Sequence, residues 1–144
     1  SLKATTTISK ITDVYSAAAA GAGSTTNNSS DSSYTYYSSV TIYYDWRSYN
    51  GTGATEYLLT AVSTSYSGGG SGVTVVSQTL RYGCSDIMTY QAGVKYPSGT
   101  SSSYYTGFST YVLLIGGYGG LNARYTLTLK RQGAPWDFTN MAQL

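Results

Sequence analysis

The chain has 144 residues, the length of one ordinary domain, and its eight basic and six acidic residues give a formal net charge of +2. Charged residues make up 10% of the chain, against about 25% in average soluble proteins, so hydroxyl and amide side chains must keep the surface soluble. The few basic residues are spread along the chain and form no basic stripe, so we expect no nucleic-acid partner.

The N-terminal segment LKATTTIS alternates apolar and polar positions until the pattern loses phase near Lys10. We predict an N-terminal strand over residues 1–16, folded back on its own domain or, alternatively, added to the sheet of a neighbouring molecule. Residues 17–33, AAAAGAGSTTNNSSDSS, are low in complexity, and four alanines are too few for a stable helix. For this segment we predict a loop or linker.

A two-residue alternation begins at Val40. Val40, Ile42 and Trp46 fall on one side of the segment, and Tyr43 and Arg47 fall on the other. This pattern is typical of a half-buried strand, with Val40, Ile42 and Trp46 in the core. Further strands are predicted over residues 55–64, 73–82, 87–91 and 110–115, separated by turns rich in Gly and Ser.

The clearest alternation lies near the C-terminus, in NARYTLTLKR. There Tyr125, Leu127 and Leu129 alternate with polar residues, so we expect them to point into the core. In the final strand, Trp136 and Phe138 share one face, which we also assign to the core.

About seven or eight short strands joined by such turns predict an all-β fold, an antiparallel β-sandwich with an immunoglobulin-like or jelly-roll-like layout. Residues 34–144 would form the sandwich of a single domain. The single cysteine, Cys84, excludes an intramolecular disulfide, and we expect it to be buried. Since no apolar run approaches the roughly twenty residues of a membrane-spanning helix, we expect no membrane span.

Most of the residue types needed for hydrolytic chemistry are missing. The chain contains no histidine, so it cannot form a Ser-His-Asp triad, a Cys-His pair or the common zinc sites. Asp45 and Glu56 flank a predicted turn like a glycosidase pair, but nothing marks the apolar cleft that such chemistry needs, so a surface pair is favoured. Asn27, Asp31 and Asp86 lack the spacing of a calcium-binding loop. We therefore expect no enzyme, no cofactor and no metal site.

Tyrosine is far commoner than phenylalanine, with 17 residues against two. Tyrosine favours strands, and its ring covers apolar area while its hydroxyl stays wet, so in a charge-poor chain it can simply form a solvent face. Alternatively, exposed rings can stack on sugars or anchor a protein interface. The candidates for such a binding surface are Tyr36, Tyr43, Tyr49, Tyr66, Tyr104 and Tyr105.

The C-terminal half resembles a known group of proteins. YYTGF at residues 104–108, followed by YTLTLKRQG at residues 125–133 and by Trp136, is similar to a pattern in small secreted all-β proteins of gut-dwelling clostridia. In that pattern a T-G-F segment precedes a strand ending in L-K-R-G and then a tryptophan, whereas RQGAPW is longer here. The resemblance implies secretion and an all-β fold, and it implies no functional site.

The chain begins SLKATTTISK, without an initiator Met, which is typical of a mature secreted protein. We therefore expect a secreted or cell-surface location. The favoured functional hypothesis is a non-catalytic interaction module that binds a protein or glycan through a tyrosine-rich surface. The alternative is a structural subunit of an extracellular filament or layer that self-assembles by β-strand complementation.

Overall fold

The computed structural model of the protein describes residues 20–49, 53–115 and 117–144. In chain order their strands are β1 (Ala20–Ser30), β2 (Tyr36–Ser48), β3 (Thr55–Gly68), β4 (Thr74–Ser85), β5 (Ala92–Lys95), β6 (Ser101–Tyr105), β7 (Val112–Leu113), β8 (Gly120–Lys130) and β9 (Trp136–Gln143). These residues include no helix, and so none that could cross a membrane. The all-β prediction is confirmed, whereas the strand predicted over residues 1–16 lies outside the described residues.

The strands pair antiparallel in two sheets. The first sheet has the order β1-β2-β3-β6, with β7 also paired to β3, and the second has the order β5-β4-β8-β9. Apolar side chains from the facing sides of the two sheets meet in one buried cluster, as in a β-sandwich. The predicted antiparallel sandwich is therefore confirmed, with slightly more strands than expected.

Most of the predicted core residues lie where the alternation places them. Val40 and Ile42 of β2 and Leu127 and Leu129 of β8 are fully buried. Phe138 of β9 is buried as well. The centre of the core therefore comes from opposite sheets, each contributing one apolar face.

The two tryptophans are only partly buried. Trp136 packs against the core at its margin. Trp46 lies beyond a β-bulge in the pairing of β2 with β3, near the end of β2. Its ring covers Gly21 of β1, where an added Cβ would come within 2.6 Å of the ring. The prediction of Trp46 as a core residue is wrong, because the ring covers an edge strand instead of the centre of the sandwich.

β1 lies in the segment predicted as a loop or linker, so that prediction is wrong for Ala20–Ser30. All 11 residues of β1 pair with β2 without a register shift. Gly21 and Gly23 are required here because the rings of Trp46 and Tyr44 occupy the space that their side chains would need. The small residues of this segment therefore form a strand that leaves room for two large rings of the neighbouring strand.

Three short segments also differ from the prediction. The carboxylate of Asp86 accepts hydrogen bonds from the amides of Met88 and Thr89 at 2.8 Å, which holds a turn where a strand was predicted over residues 87–91. Conversely, the Ser-rich β6, which begins inside a predicted turn, is extended because it pairs with β3. Of the predicted strand over residues 110–115, only β7 pairs with β3.

Buried polar side chains connect the two sheets. The Asn140 amide on β9 donates hydrogen bonds to the carbonyl oxygens of Asn27, at 2.9 Å, and Ser38, at 3.3 Å. Among the described residues, no buried side-chain nitrogen or oxygen lacks a hydrogen-bond partner. The polar groups of the interior therefore add to the specificity of the fold without leaving unpaired atoms.

A second buried network lies around Tyr125. Its hydroxyl donates to Oε1 of Gln78 at 2.6 Å, and Nε2 of Gln78 donates to the carbonyl of Gly99 at 2.8 Å. Cys84 is fully buried, as predicted. Burial raises the pKa of the Cys84 thiol, which disfavours the reactive thiolate.

Candidate binding surface on the first sheet

The outward side of the first sheet is built from the alternate residues that point away from the core. Pairing aligns them in rows across the strands. The rows are Ser24, Tyr43, Ala61 and Tyr105; then Thr26, Thr41, Ser63 and Ser103; then Asn28, Ser39, Ser65 and Ser101; and finally Ser30, Tyr37 and Ser67. We call these four rows the tyrosine face.

The four rows of the tyrosine face carry no charged side chain; the charged residues of β2 on this side of the sheet, Asp45 and Arg47, lie beyond them. Hydroxyl groups connect its strands: the Thr26 and Thr41 hydroxyls lie 2.7 Å apart, and the Ser63 hydroxyl donates to the Tyr43 hydroxyl at 3.5 Å. Each hydroxyl can both donate and accept hydrogen bonds. The face therefore combines aromatic rings with a dense set of neutral donors and acceptors.

One depression on this face lies between Tyr43 and Tyr105. Tyr43 is 42% exposed and Tyr105 is 90% exposed. Because neighbouring strands lie about 4.8 Å apart, these residues on β2 and β6 are about 10 Å apart, with the methyl group of Ala61 between them. The depression has a volume of about 270 Å³. It offers apolar surface with an aromatic ring on each side.

A larger groove, of about 700 Å³, lies at the other end of the tyrosine face. Tyr34 and Tyr37 contribute exposed rings to it, and Asn28, Ser39 and Ser65 contribute polar groups. Tyr37 and Tyr43 are six residues apart on β2, which corresponds to about 20 Å. The face therefore has an aromatic site near each end and uncharged hydroxyl rows between them.

The turn that carries Tyr34 is held by Asp31. The Asp31 carboxylate accepts hydrogen bonds from the amides of Ser33, Thr35 and Tyr36 at 3.2, 2.7 and 2.7 Å. Burial raises the pKa of this carboxyl, but the hydrogen bonds outweigh burial and lower the pKa below its ordinary value. Asp31 thus fixes the turn, and it belongs to no cluster in the described part of the chain that could hold a metal ion.

Three of the six tyrosines predicted as a binding surface are exposed. Tyr43 and Tyr105 lie together on the tyrosine face, and Tyr49 lies beyond the end of β2. Tyr36 is instead buried, with 6% exposure, and its hydroxyl donates to the carbonyl of Val73 at 2.8 Å. The prediction of Tyr36 as an exposed ring is wrong, because this residue has the same phase as the buried positions of β2.

Tyr66 and Tyr104 also differ from the prediction, since both are partly buried and pack against the core. Tyr37 and Tyr34 are exposed rings that the sequence analysis missed. The alternation around Val40, extended back along β2, would have placed Tyr37 outside. No such signal exists for Tyr34, because it lies in a turn where the alternation does not apply.

The two carboxylates considered for catalysis do not form a pair across a cleft. The register places Asp45 opposite Leu58 and Glu56 opposite Arg47. Nε of Arg47 donates to Glu56, and the Arg47 guanidinium carbon lies 3.8 Å from the centroid of the Tyr111 ring. Glu56 is therefore engaged in an ion pair at the end of the sheet.

No protein family, curated protein or solved structure matches this chain. The resemblance to secreted clostridial proteins stays a prediction.

Proposed function

We propose that this protein is a secreted or surface-displayed, non-catalytic module that binds an uncharged glycan on the tyrosine face. The row Tyr43, Ala61 and Tyr105 carries this proposal. Exposed phenol rings on a sheet offer flat apolar surface to the C–H groups of a sugar ring. The entropic cost of ordering them is low because tyrosine has only two side-chain torsions.

The hydroxyl rows between the aromatic sites are complementary to a polyhydroxylated ligand. Serine and threonine hydroxyls can donate to and accept from sugar hydroxyls, and the two aromatic sites, about 20 Å apart, would contact an extended ligand at both ends. A charged ligand would find no counter-charge in these rows. The surface therefore favours a neutral glycan over an ionic one.

A glycan array, followed by calorimetric titration of the glycans that bind, tests this proposal. We expect Tyr43→Ala and Tyr105→Ala each to weaken binding by about ten-fold or more, because a ring central to an interface commonly contributes more than about 1.4 kcal/mol. Tyr96→Ala is the matched control, since Tyr96 is 70% exposed and lies outside the tyrosine face.

An array without any binder would overturn the proposal, and so would an equal loss of affinity in Tyr96→Ala. If the array is empty but the chain captures a protein from mucosal extract, and Tyr43→Ala and Tyr105→Ala abolish that capture, the tyrosine face is a protein interface instead.

One observation favours a second candidate, a filament or layer subunit assembled by strand complementation. Among the described residues, β1 is an edge strand of 11 residues that contains no charged residue, no proline and no register shift against β2. Exposed edges are commonly protected by such features, so β1 is suited to accept a further strand from another molecule.

Light scattering and negative-stain imaging of the chain with and without residues 1–16 test this candidate. Polymers that disappear on deletion support strand exchange. A monomer at every concentration rules it out.

A further inference from the structure

A separate site lies on the outward side of the second sheet. β4 and β8 place Arg81 directly opposite Arg124, and both side chains are exposed. Together with Tyr90 and Asn122 they line a depression of about 310 Å³. We call these four residues the arginine site.

The arrangement of the two arginines does not favour folding. Like charges directly opposite each other on neighbouring strands destabilise a sheet. In the described part of the chain only Arg47 forms an ion pair, so neither Arg81 nor Arg124 has a carboxylate within 4.0 Å. The pair is therefore two adjacent positive charges that receive no counter-charge from residues 20–49, 53–115 and 117–144.

The acidic residues of the surrounding elements are engaged elsewhere. In the loop after β4, Asp86 accepts hydrogen bonds from its own turn and from the amide of Leu113 at 3.0 Å. On β9, Asp137 accepts a hydrogen bond from the Thr128 hydroxyl at 2.9 Å. The amide of Leu113 is the largest cause of the lowered pKa of Asp86, so this carboxylate stays ionised in its own loop.

The site is concave because small residues lie beside the arginines. Gly83, Ala92 and Gly93 contribute to its lining, and Tyr90, which is 85% exposed, presents its ring there. The loop that carries Tyr90 is anchored by the next residue, Gln91, whose side-chain amide bonds to backbone groups of two other segments at 2.9 to 3.1 Å. The arginine site is thus a depression next to an aromatic ring on an anchored loop.

We propose that the arginine site binds the sulfate or carboxylate group of an acidic saccharide. Arg81 and Arg124 hold the anion, since guanidinium groups present forks of N–H donors that match the oxygens of such groups. Tyr90 and Asn122 contact the sugar ring. The bound anion also offsets the repulsion between the two arginines.

This inference goes beyond the proposed function, because the arginine site lies on the opposite side of the sandwich and selects a charged ligand. A sugar-borne anion also fits the site better than an anionic membrane does. The arginines lie in a depression beside a phenol and an amide, groups that can contact a sugar ring.

An NMR titration of the complete ¹⁵N-labelled chain tests the proposal. N-acetylglucosamine 6-sulfate and glucuronic acid are the probes, and N-acetylglucosamine is the uncharged control. We expect saturable shifts of the Arg81, Asn122 and Arg124 amides with at least one acidic sugar, and weaker binding as NaCl is raised.

Arg81→Gln and Arg124→Gln should each lower the affinity about ten-fold or more, because each removes a charge-assisted hydrogen-bond donor. Arg131→Gln removes the same charge from an exposed residue outside the site and should leave the affinity unchanged. The two site variants relieve a like-charge repulsion, so their melting temperatures without ligand should not fall. An unchanged melting temperature shows that lost binding is not lost folding.

The proposal is overturned if neither acidic sugar gives saturable shifts, if N-acetylglucosamine gives the same shifts, or if Arg131→Gln loses as much affinity as the site variants. Binding to phosphatidylserine vesicles without binding to the acidic sugars would also overturn it and would indicate a membrane partner. Tyr43→Ala should leave these shifts unchanged, so a failure of glycan binding on the tyrosine face is distinguishable from a failure of this site.

Discussion

Tyrosines inside the sandwich and tyrosines on the tyrosine face are the same residue type in opposite environments. The hydroxyls of Tyr125 and Tyr36 donate to Gln78 and to the carbonyl of Val73, and burial raises the pKa of both phenols. Tyr105, in contrast, is 90% exposed. Inside, the hydroxyl satisfies acceptors that a phenylalanine would leave unpaired; outside, it keeps an apolar ring compatible with water. One residue type can therefore build both the core and the recognition surface of a charge-poor sandwich.

The largest difference between the two sets of tyrosines is expected in stability. Tyr125→Ala should lower the free energy of unfolding by about 3–5 kcal/mol, because it leaves a large cavity. Tyr105→Ala should change it by about 0.5 kcal/mol or less, as an exposed substitution does. Guanidinium chloride unfolding of both variants measures this difference. Equal losses would show that the exposed ring contributes to the core after all.

The second-largest difference is expected at alkaline pH, where the buried tyrosines, unlike the exposed ones, make the stability depend on pH. Burial raises the pKa of Tyr125 in the folded chain above its ordinary value near 10, so the folded chain keeps a proton that the unfolded chain has released. Stability is therefore fully present below about pH 10 and falls above it, by up to about 1.4 kcal/mol per pH unit for this residue. Urea unfolding from about pH 8 to about pH 12 measures the slope.

Tyr125→Phe is the control for this pH dependence, because it removes the titrating group and keeps the ring. Its stability should fall less steeply above about pH 10 than that of the unsubstituted chain. An identical slope in both proteins would mean that other groups cause the alkaline loss.

Tyr36 and Tyr37 are adjacent in β2, so they allow a buried and an exposed tyrosine to be compared within one strand. Tyr36→Phe removes the hydrogen bond to the Val73 carbonyl and should cost about 1 kcal/mol in unfolding free energy. Tyr37→Phe, on the opposite side of the strand, should change it by about 0.5 kcal/mol or less. The same unfolding assay measures both. A larger loss for Tyr37→Phe would mean that the two sides of β2 are exchanged, as a slip of one residue would cause.

Chemical modification should distinguish the exposed tyrosines from the buried ones while the chain stays folded. Acetylation by N-acetylimidazole, mapped by mass spectrometry, should reach Tyr105 and Tyr90 first, because their rings are exposed. Tyr36 and Tyr125 should react last, since their hydroxyls are buried and hydrogen-bonded. Early acetylation of Tyr125 in chain that is still folded would contradict the burial described here.

The alternation of large apolar residues made part of this fold predictable. In β8, Leu127 and Leu129 alternate with threonines, so burial of one face determined both the strand and its orientation. β1 gave no such signal, because its residues are small and polar. The rings of Trp46 and Tyr44 on the neighbouring strand make its glycines necessary, and an interaction between distant strands is not visible in a local pattern.

The binding surface was harder to predict because it depends on register. Tyr43 and Tyr105 come together only through the pairing of β2 and β6 with β3, across Ala61. Tyr104 and Tyr105 are adjacent in sequence, but they point to opposite sides of β6, so only one of them is on the tyrosine face. The approach of Arg81 to Arg124 likewise follows from the pairing of β4 with β8 and has no counterpart in the sequence.

The single buried cysteine gives this protein an internal reporter of its own opening. Cys84 belongs to the second sheet, and its sulfur accepts a hydrogen bond from the amide of Leu59 in the first sheet at 3.5 Å. A thiol reagent can therefore reach it only when the two sheets separate. Because the chain has no other cysteine, all labelling in native buffer occurs at Cys84, and its rate reports how often the two sheets separate. A ligand on either outer face that binds only the closed sandwich would slow the labelling in proportion to its occupancy.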